Sequence, residues 1–263
     1  MTDFEPILES LKTNTHTIHC ITSPLAANDT ANVLLSLNQA PIMAEYKEEV
    51  ADITKNADAL LINLGTINEY KLAGISEALK SAKKNKVPIV LDPVGSSASK
   101  IRLKTSLYYL ENFGIRVLKG NYSEIYSIYH KILSTKGVDS KKLDRNLMIE
   151  IAQKLATTYN IFVIASGKED IVTDGRATIV LENGHPILPK ITGTGCMLGG
   201  IIAGCISHEI SMASILTAIS TINIAAELAE KDKGMGTFRV SLLDEISLID
   251  DHKIKERIKY EKL

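Results

Sequence analysis

The sequence predicts an α/β fold, a mostly parallel central sheet covered by helices on both faces. Three observations predict it. Short runs that are apolar throughout, such as Ala59-Leu60-Leu61-Ile62, recur along the chain. Segments with helical spacing of apolar residues separate them. Polar and small residues (Asn63, Gly65, Asp92, Lys119, Asn121, Ser166 and Gly167) stand where the runs end. Uniformly apolar strands joined through helices belong to parallel sheets buried on both sides. Ligands of such sheets bind beyond the carboxyl ends of the strands.

The elements follow in order. His16 to Thr22 is β-branched and apolar and reads as a strand, followed by a polar loop and a short helix over 30–37 capped by Asp29 or Thr30. Pro41 to Ala44 reads as a strand end, and Lys47 to Asn56 as a helix with acidic residues in its first turn. Buried strands are expected at 59–63, 87–92, 115–119 and 161–165, with helices at 67–85, 102–112, 122–133 and 145–158 between them. A charged linker follows Leu133. Asp174-Gly175 between two β-rich runs, 170–173 and 177–181, is a hairpin signal, so the sheet gains antiparallel strands there. A second turn at 182–185 precedes Pro186-Ile187-Leu188. Two helices rich in alanine and isoleucine are expected at 195–207 and 211–230, then a loop at 234–236, a short helix at 241–248 and a solvated lysine-rich tail. The first of the two has too little polar surface to face water, which places it centrally.

At 263 residues, with no repeat, interdomain linker or low-complexity tract, the chain reads as one domain, 1–263. Its net charge of −1 excludes a general attraction to nucleic acid or anionic membrane. No apolar run approaches the roughly 20 residues that span a bilayer. The start, Met1 to Pro6, lacks the basic residues and apolar core of a secretion signal, so the expected location is cytoplasmic. Cys20, Cys196 and Cys205 show neither metal-ligand spacing nor a disulfide framework. Cys20 and Cys205 read as small core residues. His16 and His19 lie on a strand, where structural roles are expected.

Thr192-Gly193-Thr194-Gly195-Cys196 is the most informative stretch. Its glycines allow a sharp turn and close approach of backbone to a ligand. The free N–H groups and positive dipole end of the helix that begins there make a seat for phosphate. By itself the stretch is equally a glycine loop leading into a buried helix. The Walker pattern GxxxxGK[ST] is absent.

Together with the strand ends, this loop resembles the hydroxyethylthiazole kinases, which have a ribokinase-like fold. The matching pieces include TAN at 30–32, PIMA at 41–44, NLGT at 63–66, PIVLDPVG at 88–95, LKGNYSEI at 118–125, SGKEDIV at 166–172, TGTGC at 192–196 and KGMGTF at 233–238. They run in the family's order over nearly the whole chain.

The resemblance implies transfer of the ATP γ-phosphoryl group to the alcohol of 5-(2-hydroxyethyl)-4-methylthiazole in thiamine biosynthesis or salvage. It also implies a homotrimer with sites at subunit interfaces. Carried over by position, Met43 and Gly193 contact the alcohol, and Lys119 and Ser166 contact ATP. Asp92 and Glu124 serve Mg²⁺, while Thr194, Gly195 and Cys196 carry the catalytic loop. Mg²⁺ prefers hard oxygen ligands and keeps several waters, so one or two carboxylates suffice. Backbone N–H groups at 194–196 suit the charge on a transferring phosphoryl group. A helix N-terminus lowers a thiol's pKa, so Cys196 is expected to assist as a base.

Lys119 stands where the family commonly has arginine, Ser166 where it has threonine, Thr194 where it has alanine, and Ser23 where it has asparagine. The alternatives are a kinase of another small alcohol such as hydroxymethylpyrimidine, an ADP-dependent hydrate dehydratase of the same fold, and a ligand-binding homologue without catalysis.

Overall fold

The computed structural model describes residues 4–133 and 143–263. The chain opens with α1 (Leu8–Thr13), β1 (Thr17–Ile21), α2 (Ala27–Ser36), β2 (Ala40–Ile42), α3 (Val50–Lys55), β3 (Ala59–Asn63) and α4 (Glu69–Asn85). It continues through β4 (Ile89–Asp92), α5 (Lys100–Asn112), β5 (Val117–Asn121), α6 (Tyr122–His130), α7 (Arg145–Tyr159) and β6 (Phe162–Ser166). The hairpin β7 (Asp170–Thr173) and β8 (Thr178–Leu181) follows, then α8 (Thr194–His208), α9 (Met212–Leu228), α10 (Met235–Leu248), α11 (Asp251–Arg257) and β9 (Tyr260–Lys262).

The nine strands of the described residues form one sheet in the order β2-β1-β3-β4-β5-β6-β7-β8-β9. The pairs from β2 through β6 are parallel, and those from β6 through β9 are antiparallel. Alternation of side chains along each strand divides the apolar residues between the two faces. Ala59 and Leu61 of β3 face a core built with α1, α2 and α8–α11, whereas Leu60 and Ile62 face one built with α3–α7. Both faces are therefore dry, which explains why these strands read as unbroken apolar runs.

Helix α8 is the central helix the sequence predicts, packed across β1, β3 and β4. Its residues Met197 to Ile206 are all buried. Gly200 lets α2 pack closely on the other side of α8, since a Cβ there would lie 2.9 Å from Thr30 Cγ2.

Some boundaries differ from expectation. Helix α1 does not stand out in the sequence; its 6 residues, under two turns, carry too little periodicity. Helix α2 begins at Ala27 without a side-chain cap, and Asp29 instead accepts two hydrogen bonds from Arg239 of α10. Helix α10 starts at Met235 rather than 241. The lysine-rich tail is not a free tail: α11 buries Ile254, and β9 pairs with β8. The charged linker falls largely on 134–142, outside the described residues.

Candidate active site

The strand ends β3, β4, β5 and β6 meet the N-terminus of α8. Asp92, the last residue of β4, is buried, and its Oδ2 accepts from Asn63 Nδ2 at 2.8 Å and from Lys119 Nζ at 3.2 Å. Lys119 Nζ also donates to the Gly195 carbonyl at 3.0 Å. One buried ammonium thus fastens β4 and β5 to the glycine turn. Burial opposes the charge on Lys119, but the carboxylates of Asp92 and Glu124 outweigh it and hold the amine above the usual lysine value.

Glu124 owes its place to helix capping. Asn121 caps α6 by accepting from Glu124 N–H at 3.0 Å, and Glu124 Oε2 accepts from Asn121 N–H at 2.9 Å, a reciprocal capping box. Its Oε1 accepts from Gly95 N–H at 2.8 Å. Burial and then repulsion from Asp92 push this carboxyl up, while the two backbone N–H groups work against that. Ser166 ends β6 opposite Asn121, its hydroxyl donating to the Gly120 carbonyl at 3.2 Å.

In the glycine turn, Gly193 takes φ +96°, a left-handed conformation that a side chain disfavours. A Cβ there would also lie 3.2 Å from Ala26 Cβ. Thr194 Oγ1 donates to the carbonyls of Leu188 and Ile191 at 2.9 and 3.2 Å and so fixes the turn. The first bond back into the helix is Met197 N–H to Gly193 O, leaving the N–H groups of Thr194, Gly195 and Cys196 ahead of it. Cys196 Sγ accepts from Asn63 Nδ2 at 3.3 Å. Contrary to the sequence expectation, its thiol is pushed up, first by burial and then by Asp92. The Lys119 ammonium and the Asn63 hydrogen bond act the other way and do not overcome those two effects.

Eight of the nine predicted site residues line one cavity of about 840 Å³: Asp92, Lys119, Glu124, Ser166 and the turn Gly193 to Cys196. Met43 does not. It lies in a separate cavity of about 220 Å³ beside Thr22, Pro24, Ala27 and Glu45.

The residues present fit Mg²⁺. Asp92 Oδ1 is buried with no hydrogen-bond partner, and a lone carboxylate oxygen is the hard donor that this ion prefers. No group of three or more His, Cys, Asp or Glu suited to a metal occurs among the described residues.

Asp170 and Asn223 also line the large cavity, and neither was singled out from the sequence. Asp170 accepts from Asn223 Nδ2 at 2.7 Å and from Gly167 N–H at 3.2 Å, and burial pushes its carboxyl up to about 6. Its place in the matched piece SGKEDIV was the available signal. Asn223, on α9, had none. His19 proves structural, its ring bonded to Thr54 Oγ1 at 2.8 Å and to the Ala44 carbonyl at 2.9 Å.

A mostly parallel sheet whose strand-end carboxylates and lysine converge on a glycine turn at a helix N-terminus defines a ribokinase-like phosphotransferase. The profile described as "Hydroxyethylthiazole kinase family" matches residues 8–252. The chain belongs to the hydroxyethylthiazole kinase family. It is 42% identical over 257 residues to a hydroxyethylthiazole kinase of Finegoldia magna, covering 98% of this chain and 96% of that protein. The solved structure of a hydroxyethylthiazole kinase from Pyrococcus horikoshii OT3 superposes with a TM-score of 0.88 at 33% identity, covering 97% of each chain. A Staphylococcus aureus pyridoxal kinase solved with pyridoxal, 15% identical with a TM-score of 0.67, shares the fold; it covers 95% of this chain and 99% of its own.

Proposed function

We propose that this protein transfers the γ-phosphoryl group of ATP to the primary hydroxyl of 5-(2-hydroxyethyl)-4-methylthiazole, in thiamine biosynthesis or salvage. The observation that carries the reading is the convergence of Lys119, Asp92 and the free N–H groups of Thr194 to Cys196 on one cavity. ATP occupies the 840 Å³ cavity, with Lys119 and Ser166 toward its phosphates. The alcohol enters from the side of Met43 and reaches Gly193, whose missing Cβ lets the backbone come close.

Phosphoryl transfer through a loose transition state depends on positioning and on neutralising the equatorial oxygens. The N–H groups at 194–196 and the Lys119 ammonium supply that here. Asp92, through its free Oδ1, and Glu124, whose oxygens already accept backbone N–H groups, would hold Mg²⁺, Glu124 through water. When bound, the ion neutralises phosphate charge. Cys196 rests as a thiol that accepts a hydrogen bond from Asn63, and only its minor thiolate form takes the alcohol's proton, becoming the thiol again, so it assists the transfer rather than driving it.

The reading includes a homotrimer with the alcohol site completed at a subunit interface. Support comes from Met43, Ile42, Tyr46 and Leu25, which are exposed around the smaller cavity's edge of the chain. A sheet that takes strands from both ends of the chain supports a single domain, 1–263. No helix among the described residues is long and apolar enough to cross a membrane, and we place the enzyme in the cytoplasm.

ADP release, measured across thiazole and pyrimidine alcohols with Mg²⁺ present, tests the reading. It predicts ADP only when an alcohol is added, with the thiazole preferred. ADP release that does not depend on an added alcohol would contradict it.

A further inference from the structure

Lys71, in the first turn of α4, is among the largest fully buried side chains of the described residues and belongs to none of the groups described above. Its Nζ donates to the Thr22 carbonyl at 2.9 Å and to the Gly65 carbonyl at 2.7 Å. These carbonyls belong to two different strand-end loops, after β1 and after β3. The same loops meet again where Ser23 Oγ and Thr66 Oγ1 lie 3.1 Å apart. Thr66 is held at φ +52°, which a β-branched residue adopts only under restraint.

Thr22 and Pro24 wall the smaller cavity on one side, with Met43, Ala44 and Glu45 also lining it. Helix α4 supports this second group as well. Gly74 packs so tightly on the Glu45 carbonyl that a Cβ would lie 2.1 Å from it, and Tyr70 stacks on Tyr46 with centroids 5.9 Å apart. The first turns of α4 therefore brace both walls. From the loop after β3 the connection runs inward: Gly65 N–H donates to Asn63 Oδ1, and Asn63 Nδ2 donates to Asp92 and Cys196.

We propose that Lys71 is a positioning residue for the alcohol: its buried ammonium, bonded to the Thr22 and Gly65 carbonyls, fixes the Thr22–Pro24 wall of the smaller cavity and so sets affinity for the alcohol. A clamp made by a charged donor to two carbonyls is shorter and stronger than one made by neutral groups. Burial lowers the amine to about 8, with Glu45 and Cys196 acting to keep it charged. The assignment rests on the kinase reading above.

The test compares wild-type enzyme with Lys71→Met and Lys71→Gln, measuring KM for the thiazole alcohol, KM for ATP, and calorimetric binding of the alcohol alone. Lys71→Met is expected to raise the alcohol's KM and Kd about tenfold, the size of one charge-assisted hydrogen bond. ATP KM should stay within about twofold. Lys71→Gln, which keeps an N–H donor, is expected to recover part of the loss. Alcohol KM and Kd unchanged in a folded Lys71→Met, or both KM values raised alike, overturns the proposal. If Lys71→Met does not fold, an alcohol KM in Lys71→Gln equal to that of wild type overturns it. A wild type that neither binds the alcohol nor turns over with it overturns the kinase reading and this assignment together. Alcohol KM and Kd equal to those of an active wild type in both variants sink the assignment alone.

Discussion

At Cys196 two opposing effects meet, and burial wins. The Lys119 ammonium and the Asn63 hydrogen bond favour a thiolate, yet enclosure and the neighbouring Asp92 push the thiol up and keep it mostly protonated. Cys196→Ala is therefore expected to slow kcat by about tenfold to a hundredfold, below the usual range for a general base, since loose phosphoryl transfer asks little of one. ATP KM should hardly move. Steady-state kinetics check this, and unchanged turnover would remove the thiol from the proton's path.

Asp170 gives a prediction in pH. Its native carboxyl titrates at about 6, above the ordinary value of 3.8. Between those values the native state binds more protons than the unfolded chain, so this residue's contribution to stability falls as pH rises through that window. The loss amounts to about 3 kcal/mol once pH exceeds 6. In Asp170→Asn, denaturant unfolding from pH 4 to 6 should lack this decline relative to wild type. Parallel stability curves for the two proteins would contradict the assignment.

At the scale of elements, the turn before α8 aims the N–H groups, and Gly193 sets the turn. Gly193→Ala meets both a disfavoured φ and Ala26. A stability loss of about 1–2 kcal/mol is expected, measured by chemical unfolding. The fall in kcat should be larger than this implies, about a hundredfold, because the oxyanion donors are re-aimed together. A drop in stability with normal kcat would show that the turn is only structural.

The same scale shows what the sequence discloses and what it hides. Strands β3 to β6 were legible because burial on both faces makes them uniformly apolar, and their polar last residues marked the site. Eight of the residues the sequence singles out, on strand ends, the first turn of α6 and one glycine turn, line a single cavity. Strand β9 was hidden because Tyr260-Glu261-Lys262 is a polar edge strand, supported by pairing with β8 and by Arg145 bonding Glu261 rather than by its own pattern. Lys71 was hidden for a related reason. A lysine at a helical position reads as solvated, and only the tertiary fold reveals two carbonyls waiting beneath it.

On the scale of the whole molecule, the separation of Met43 from the larger cavity matters most. A site completed by a neighbouring subunit would close the open side of the smaller cavity. Light scattering behind size exclusion should give three times the chain mass at assay concentration. A monomer with full activity would contradict shared sites.

The central claim is that one catalytic cavity moves a phosphoryl group from ATP to a thiazole alcohol. Phosphorus NMR of a reaction containing ATP, Mg²⁺ and 5-(2-hydroxyethyl)-4-methylthiazole tests it most directly. The account predicts a new phosphomonoester resonance that grows as the γ-phosphate signal of ATP disappears and ADP accumulates. Inorganic phosphate in its place, or no change with the alcohol present, would contradict it.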